Sequence, residues 1–208
     1  FYAQALPRAR AHLPSLPLIL SFIPPTAAAT GFLKDAIAAQ PPRGRALLAD
    51  HHFYLNWQAP VGGALTWDEI HARTCAAAQD PGGLKVYTSA GVGLIVGEWS
   101  LAVNHDQLLD LKQPETRKQL HRLYQEQLET FSATPGFVGA FFWTLRMGSG
   151  WDPRPTATHP HGQQLDGSSA WRSLPAYPFP VWSLLEMAVV GVATPLNHSY
   201  TGACASGK

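Results

Sequence analysis

Leu94-Ile95-Val96-Gly97-Glu98-Trp99-Ser100 is the stretch that decides how this chain is read. Leu94-Ile95-Val96 is a short apolar run, the pattern of a strand buried on both faces of a parallel sheet. Gly97 closes the run and Glu98 follows it. A strand expected over 94–97 therefore delivers one carboxylate from the core to its carboxyl end, beside the indole of Trp99. Two other stretches are similar in character. Ala46-Leu47-Leu48-Ala49 runs into Asp50-His51-His52-Phe53-Tyr54, and a strand expected over 137–143 ends in Phe141-Phe142-Trp143.

Working outward from these, positions 1–12 read as the end of a helix with Tyr2, Ala5, Leu6 and Ala9 on one stripe, stopped by Pro14. The apolar run 16–22 is expected to be another strand buried on both faces, ended by Pro24-Pro25. Thr30 is expected to cap a helix over 31–39 with Phe32, Leu33, Ala36 and Ile37 inward. Pro41-Pro42-Arg43-Gly44 is a turn, and 45–50 the next strand. A helix is expected over 67–78, with Thr66 as cap and Glu69 completing a capping box. Asp80-Pro81-Gly82-Gly83 is a turn. The clearest helix covers 114–131, with Leu120, Leu123, Tyr124, Leu128 and Phe131 on one stripe and charges on the other face. The Pro-, Gly- and His-rich segment 147–180 reads as a long surface loop, the kind often used as a lid or binding loop. A last helical segment covers 181–190.

Strands alternating with helices imply an α/β chain with a parallel sheet and helices outside it. No GxGxxG or GxxxxGK[ST] is present, so no nucleotide-binding turn marks a doubly wound sheet. In a (β/α)8 barrel, functional residues gather at the carboxyl ends of the strands. His52, Glu98 and Trp143 all fall at expected strand ends. A whole barrel uses about 250 residues, and four strands are countable in these 208. The expectation is one partial (β/α)8 domain over 1–208, roughly strands five to eight with flanking helices and a loop insertion at about 147–180. Phe1 in place of Met adds the expectation that the chain starts inside a longer protein.

Hydrophobic residues make up 46% and charged residues 14%, which excludes a disordered chain. The formal net charge is +1 with no long Lys/Arg run, so no nucleic-acid partner is expected. No apolar stretch reaches the ~18–20 residues of a bilayer span; the run from Leu13 is broken by Pro14 and Pro17. Phe1-Tyr2-Ala3-Gln4 shows no signal-peptide pattern. Cys75 and Cys204 match no zinc spacing. They are either two unpaired structural thiols or a bridge closing a long loop, which would argue for an oxidising compartment. No metal or cofactor is expected.

Seven Trp and six Tyr supply flat amphipathic rings suited to sugar stacking, and equally to core packing. Glycoside cleavage usually needs two carboxyl groups, ~5–5.5 Å apart in retaining enzymes and ~6.5–9.5 Å apart in inverting ones. Glu98 is the nucleophile candidate because a strand end fixes it; a helix cap or an arginine partner is the plainer alternative. His52 and Tyr54, at spacing two, point the same way. The Tyr54 phenol would donate to the nucleophile carboxylate and keep it ionised and oriented, and His52 would bond a sugar hydroxyl; a satisfied core histidine is the alternative. His51 and His52 as a metal pair is disfavoured, since strand neighbours face opposite sides, and His159 with His161 lies in the long loop. Trp143 is either a floor under the sugar or core, and Trp57 and Trp151 are stacking residues or loop anchors. No G-x-S-x-G serine nucleophile is present.

Together these residues resemble the carboxyl-terminal half of glycoside hydrolase family 5, in particular its exo-β-1,3-glucanase branch. Val96-Gly97-Glu98-Trp99-Ser100 looks like the branch's nucleophile motif, and Asp50-His51-His52-Phe53-Tyr54 is similar to its Asp-His-His-x-Tyr strand end. Gly139-Ala140-Phe141-Phe142-Trp143-Thr144 is similar to its last strand, and the helix from Glu115 to Phe131 to the one before that strand. Pro180-Val181-Trp182-Ser183 with Gly191 resembles its closing segment. The resemblance covers about 18–204. It implies that Glu98 is the nucleophile, that His52 and Tyr54 assist, that Trp143 lies under the sugar, and that Cys75 and Cys204 form a bridge. It further implies a β-glucan or oligosaccharide substrate, no cofactor, and an extracellular or cell-wall location. The family's Asn-Glu-Pro acid/base motif does not occur here: Asn56, Asn104 and Asn197 are the asparagines, and none precedes Glu. Leu145-Arg146-Met147 also replaces a more usual aromatic-Lys-Thr run. The acid/base is therefore expected from a missing amino-terminal barrel half, and a carbohydrate-binding pseudoenzyme is the alternative.

Overall fold

A computed structural model gives the architecture; the structure describes residues 1–14, 16–21, 27–39, 47–80, 83–105, 107, 109–144, 151–152, 163–164, 180–194 and 202–204. Four strands form one parallel sheet in chain order: β1 (Leu18–Ser21), β2 (Leu47–Phe53), β3 (Gly93–Trp99) and β4 (Phe137–Phe142). β1 pairs with β2 in parallel, from Leu18 opposite Leu47 to Ser21 opposite Asp50. Helix α1 (Tyr2–His12) precedes the sheet. The crossovers carry α2 (Ala27–Ala38), then α3 (Trp67–Ala76) and α4 (Lys85–Ala90), then α5 (Pro114–Ala133). This is the α/β alternation read from the sequence: parallel strands cannot be joined by tight turns, and the helices supply the return. Within 147–180, Trp151–Asp152 (β5) and Gln163–Gln164 (β6) form a two-stranded antiparallel ribbon. The rest of that segment up to 179, with His159 and His161, lies outside the described residues, as do the expected turns at Pro24-Pro25 and Pro41–Gly44. A 3-10 turn (Pro180–Trp182) leads into α6 (Leu184–Val189). Among the described residues no helix is long and apolar enough to cross a membrane.

Local chemistry sets the element ends. At α3 the capping box forms as expected: the Thr66 amide and hydroxyl donate to Glu69 Oε2 at 2.7 and 2.9 Å, and the Glu69 amide donates to Thr66 Oγ1 at 3.3 Å. The first of these bonds, together with the Thr66 hydroxyl, holds the Glu69 carboxyl below its ordinary pKa. α4 stops at Gly91, whose φ of 75° is left-handed backbone that glycine adopts without a Cβ penalty.

Four expectations shift. α2 begins at Ala27, so Thr30 and Gly31 lie inside the helix; the alanines before Thr30 are strong helix formers and extend it past the expected cap. α4 was not expected, because six residues are too few for a period to show. β3 runs to Trp99, which makes Glu98 a strand residue. β1 is not buried on both faces: Leu20 is buried but Ile19 is 56% exposed. β1 is an edge strand, and period-two alternation sends Ile19 to the face opposite Leu20.

The chain divides into two compact units. The first, Phe1–His52 with Ala76–Gly97 and Thr130–Ala140, is centred on buried Leu33, Leu84, Tyr87, Leu94, Val96 and Phe131. The second, Phe53–Cys75 with Glu98–Glu129 and Phe141–Lys208, buries Leu55, Ile70, Leu101, Leu120, Leu123 and Met187. Cys75 and Cys204 form a disulfide across 129 positions. In the chain-entropy model a loop of that length is worth on the order of 4–5 kcal/mol. Glu129 of α5 secures the same tail, accepting from the amides of Gly202 at 2.7 Å and Cys204 at 2.6 Å.

α5 also buries part of its polar face. Glu126 and Gln127 are fully buried, and Thr130 nearly so. Arg122 Nε donates to Glu126 Oε1 at 2.8 Å, and His71 Nδ1 of α3 bonds Oε2 at 2.5 Å. His71 Nε2 meets Gln119 Oε1 at 2.8 Å, and Trp67 stacks on the imidazole. A buried carboxylate is tolerated because both of its oxygens have close partners.

Candidate functional site

β2 sets up the site by simple alternation. Leu47, Ala49, His51 and Phe53 are buried, whereas Leu48, Asp50 and His52 are half-exposed. Tyr54, just beyond the strand, continues the half-exposed series. On β3, Val96 and Trp99 are buried and Glu98 is half-buried.

In the second unit the Tyr54 hydroxyl donates to Glu98 Oε2 at 2.7 Å, a short bond to a carboxylate. Aromatic rings surround the phenol. Trp57 meets it edge-on with centroids 4.8 Å apart, and Trp182 is tilted against it at 5.4 Å. The two indoles lie 6.1 Å from each other. Trp182 is buried, while Trp57 is 40% exposed and offers its ring to solvent.

Main-chain bonds link the segments that carry these groups. The Trp143 amide donates to the Trp99 carbonyl at 2.7 Å. The Thr144 amide donates to the Trp182 carbonyl at 2.6 Å, and the Leu101 amide to Val181 at 3.2 Å. Trp143 is thus tied by its backbone to the residue after Glu98, with its side chain 45% exposed. Trp99 itself is core, edge-on to Phe142 at 4.8 Å and tilted over Tyr124.

In the first unit, His52 Nε2 donates to Asp50 Oδ2 at 3.2 Å. Asp50 Oδ1 accepts from the Gly97 amide at 2.9 Å. His51 turns the other way, bonded to the Tyr87 hydroxyl at 3.2 Å. Burial lowers the His51 pKa to about 4, with the neighbouring His52 adding to the effect and Asp50 opposing it. Burial raises the Tyr87 phenol, and the Asp50 charge raises it further. His51 and His52 therefore take separate partners.

The structure brings together Glu98, Tyr54 and Trp57 of the expected site residues, and it engages His52 with Asp50. Trp182 and Asp50 were not singled out as site residues. Asp50 lay inside a quoted motif, but nothing local signals that its carboxylate reaches a neighbouring strand. Trp182 is distant in sequence from Tyr54, and an indole gives no hint of its partner. Glu98 thus accepts from a neutral phenol that is itself packed between indoles; a carboxyl group held at a strand end in this way has the chemistry for nucleophilic or acid–base work. Compared with known proteins, the chain matches no family model and no curated protein.

Proposed function

We propose that the chain is the carboxyl-terminal half of a (β/α)8 retaining glycoside hydrolase acting on β-glucan, with β-1,3-glucosidic bonds as the preferred linkage. The observation that carries this reading is the 2.7 Å bond from the Tyr54 phenol to Glu98, bordered by Trp57 and Trp182. A nucleophile must keep one oxygen directed at the anomeric carbon, and a bond to the other oxygen does that without adding a counter-charge. Exposed indoles at Trp57 and Trp143 suit the apolar face of a pyranose. His52, oriented by Asp50, is assigned to a sugar hydroxyl.

In this mechanism Glu98 attacks the anomeric carbon and displaces the aglycone oxygen, giving a glycosyl–enzyme ester that water then hydrolyses. The proton for the leaving oxygen comes from a second carboxyl. That group is assigned to residues outside these 208, because no Asn-Glu-Pro is present and, among the described residues, the sheet holds four strands of the eight a barrel needs. The disulfide favours an oxidising, extracellular or cell-wall setting.

The test joins the chain to its upstream half and assays hydrolysis of β-1,3-glucan oligosaccharides. Turnover that disappears in Glu98→Gln while sugar affinity persists is the expected result. Sugar binding without turnover in either form would instead identify a carbohydrate-binding pseudoenzyme. Neither binding nor turnover would end the sugar reading.

A further inference from the structure

We propose that Asp50 is the positioning residue of Glu98, acting through the backbone of Gly97. Each oxygen of the Asp50 carboxylate has a separate task. Oδ1 accepts the Gly97 amide at 2.9 Å, and Oδ2 accepts His52 Nε2 at 3.2 Å. Gly97 is the residue immediately before Glu98 in β3, so the peptide that Asp50 holds is one bond series away from the carboxylate's own Cα.

The approach is close enough to dictate the residue at 97. A Cβ built on Gly97 would lie 2.1 Å from Asp50 Oδ1 and 2.8 Å from its Cγ. No side chain fits there while Asp50 keeps its place. Glycine at this position is therefore required by the incoming carboxylate; β3 is extended here, and no left-handed backbone calls for it. Gly97 leaves the space, Asp50 fills it, and the same carboxylate holds an imidazole on its own strand. A bond from a charged carboxylate to a backbone amide is strong and directional, and errors of about 1 Å in a reacting group cost rates on the order of 10²-fold. Asp50 touches no substrate in this scheme; it sets where Glu98 stands.

The experiment uses the 208-residue chain and 2-deoxy-2-fluoroglucosyl fluoride. The carbon–fluorine bond at C1 breaks, fluoride leaves with the electron pair, and a Glu98 oxygen forms the new bond to C1. The leaving group needs no proton, so the missing acid is not required. This arm rests on the hydrolase reading. Asp50→Asn keeps an oxygen for the Gly97 amide, and Asp50→Ala removes it. The expected result is labelling near the wild-type rate in Asp50→Asn and about 10–100-fold slower in Asp50→Ala, with both variants folded by circular dichroism. Should Asp50→Ala fail to fold, Gly97→Ala replaces it, since the added methyl displaces the same carboxylate, and slower labelling is again expected. Equal rates in wild type and the alanine variant would overturn the proposal while leaving the hydrolase reading intact. Absence of labelling in the wild type counts against the hydrolase reading. Asp50 is then judged by the carboxyl ¹³C resonance of Glu98. Movement in Asp50→Ala with little change in Asp50→Asn supports positioning, and an unmoved resonance in both overturns it.

Discussion

Glu98 and Glu126 are the same residue in opposite circumstances. Glu126 is fully buried in α5, with a guanidinium on one oxygen and an imidazole on the other. Glu98 is half-buried at the end of β3, and the phenol that bonds it is packed against the indoles of Trp57 and Trp182. A carboxyl group enclosed by a guanidinium and an imidazole is locked, and it holds two helices together. Glu98 instead takes a neutral phenol hydroxyl on its Oε2. The contrast separates structural acid from candidate nucleophile by partner chemistry, which sequence position alone does not do.

The strongest way to break the contrast is substitution of the two acids. In the protein joined to its upstream half, Glu98→Gln lowers turnover on the order of 10⁴-fold, with the unfolding midpoint little changed. Glu126→Ala does the reverse. It leaves Arg122 and His71 facing an empty buried site and costs about 3–5 kcal/mol of stability, read by urea unfolding, with turnover of the folded fraction preserved. Equal loss of stability in both variants would erase the distinction.

The histidines sharpen the comparison. His51 has a folded pKa of about 4 against an ordinary 6.5. The unfolded chain therefore binds the proton more readily. The stability due to neutral His51 is present above pH 6.5 and is lost as pH falls through about 4, amounting to about 3 kcal/mol. Thermal unfolding across this window shows the decline, and His51→Gln flattens it. The smallest effect is expected at the phenol. Tyr54→Phe keeps the ring packed against Trp57 and Trp182 but removes the bond to Glu98. Turnover falls about 10-fold, roughly 1.4 kcal/mol, with stability nearly unchanged.

These contrasts also mark what the sequence discloses. The apolar stripe of α5 was readable because Leu120, Leu123, Tyr124, Leu128 and Phe131 repeat at helical spacing, and all five are buried. The burial of Glu126 and Gln127 was not legible, because a charged residue announces its cost of burial and not the distant His71 that offsets it. The Tyr54–Glu98 pair joins two expected site residues, since both sit at apolar strand ends where a parallel sheet gathers them. Ile19 was misjudged for a related reason: a continuous apolar run does not state whether the strand lies at an edge. The Asp50–Gly97 contact was out of reach, because register between strands decides it and one strand's pattern does not encode its neighbour's offset.

The most direct measurement of the central claim is peptide mapping of the chain after incubation with 2-deoxy-2-fluoroglucosyl fluoride. A single added fluoroglucosyl group on the peptide containing Glu98, absent from Glu98→Gln, is the predicted result. An adduct on any other carboxylate, or one that persists in Glu98→Gln, would contradict it.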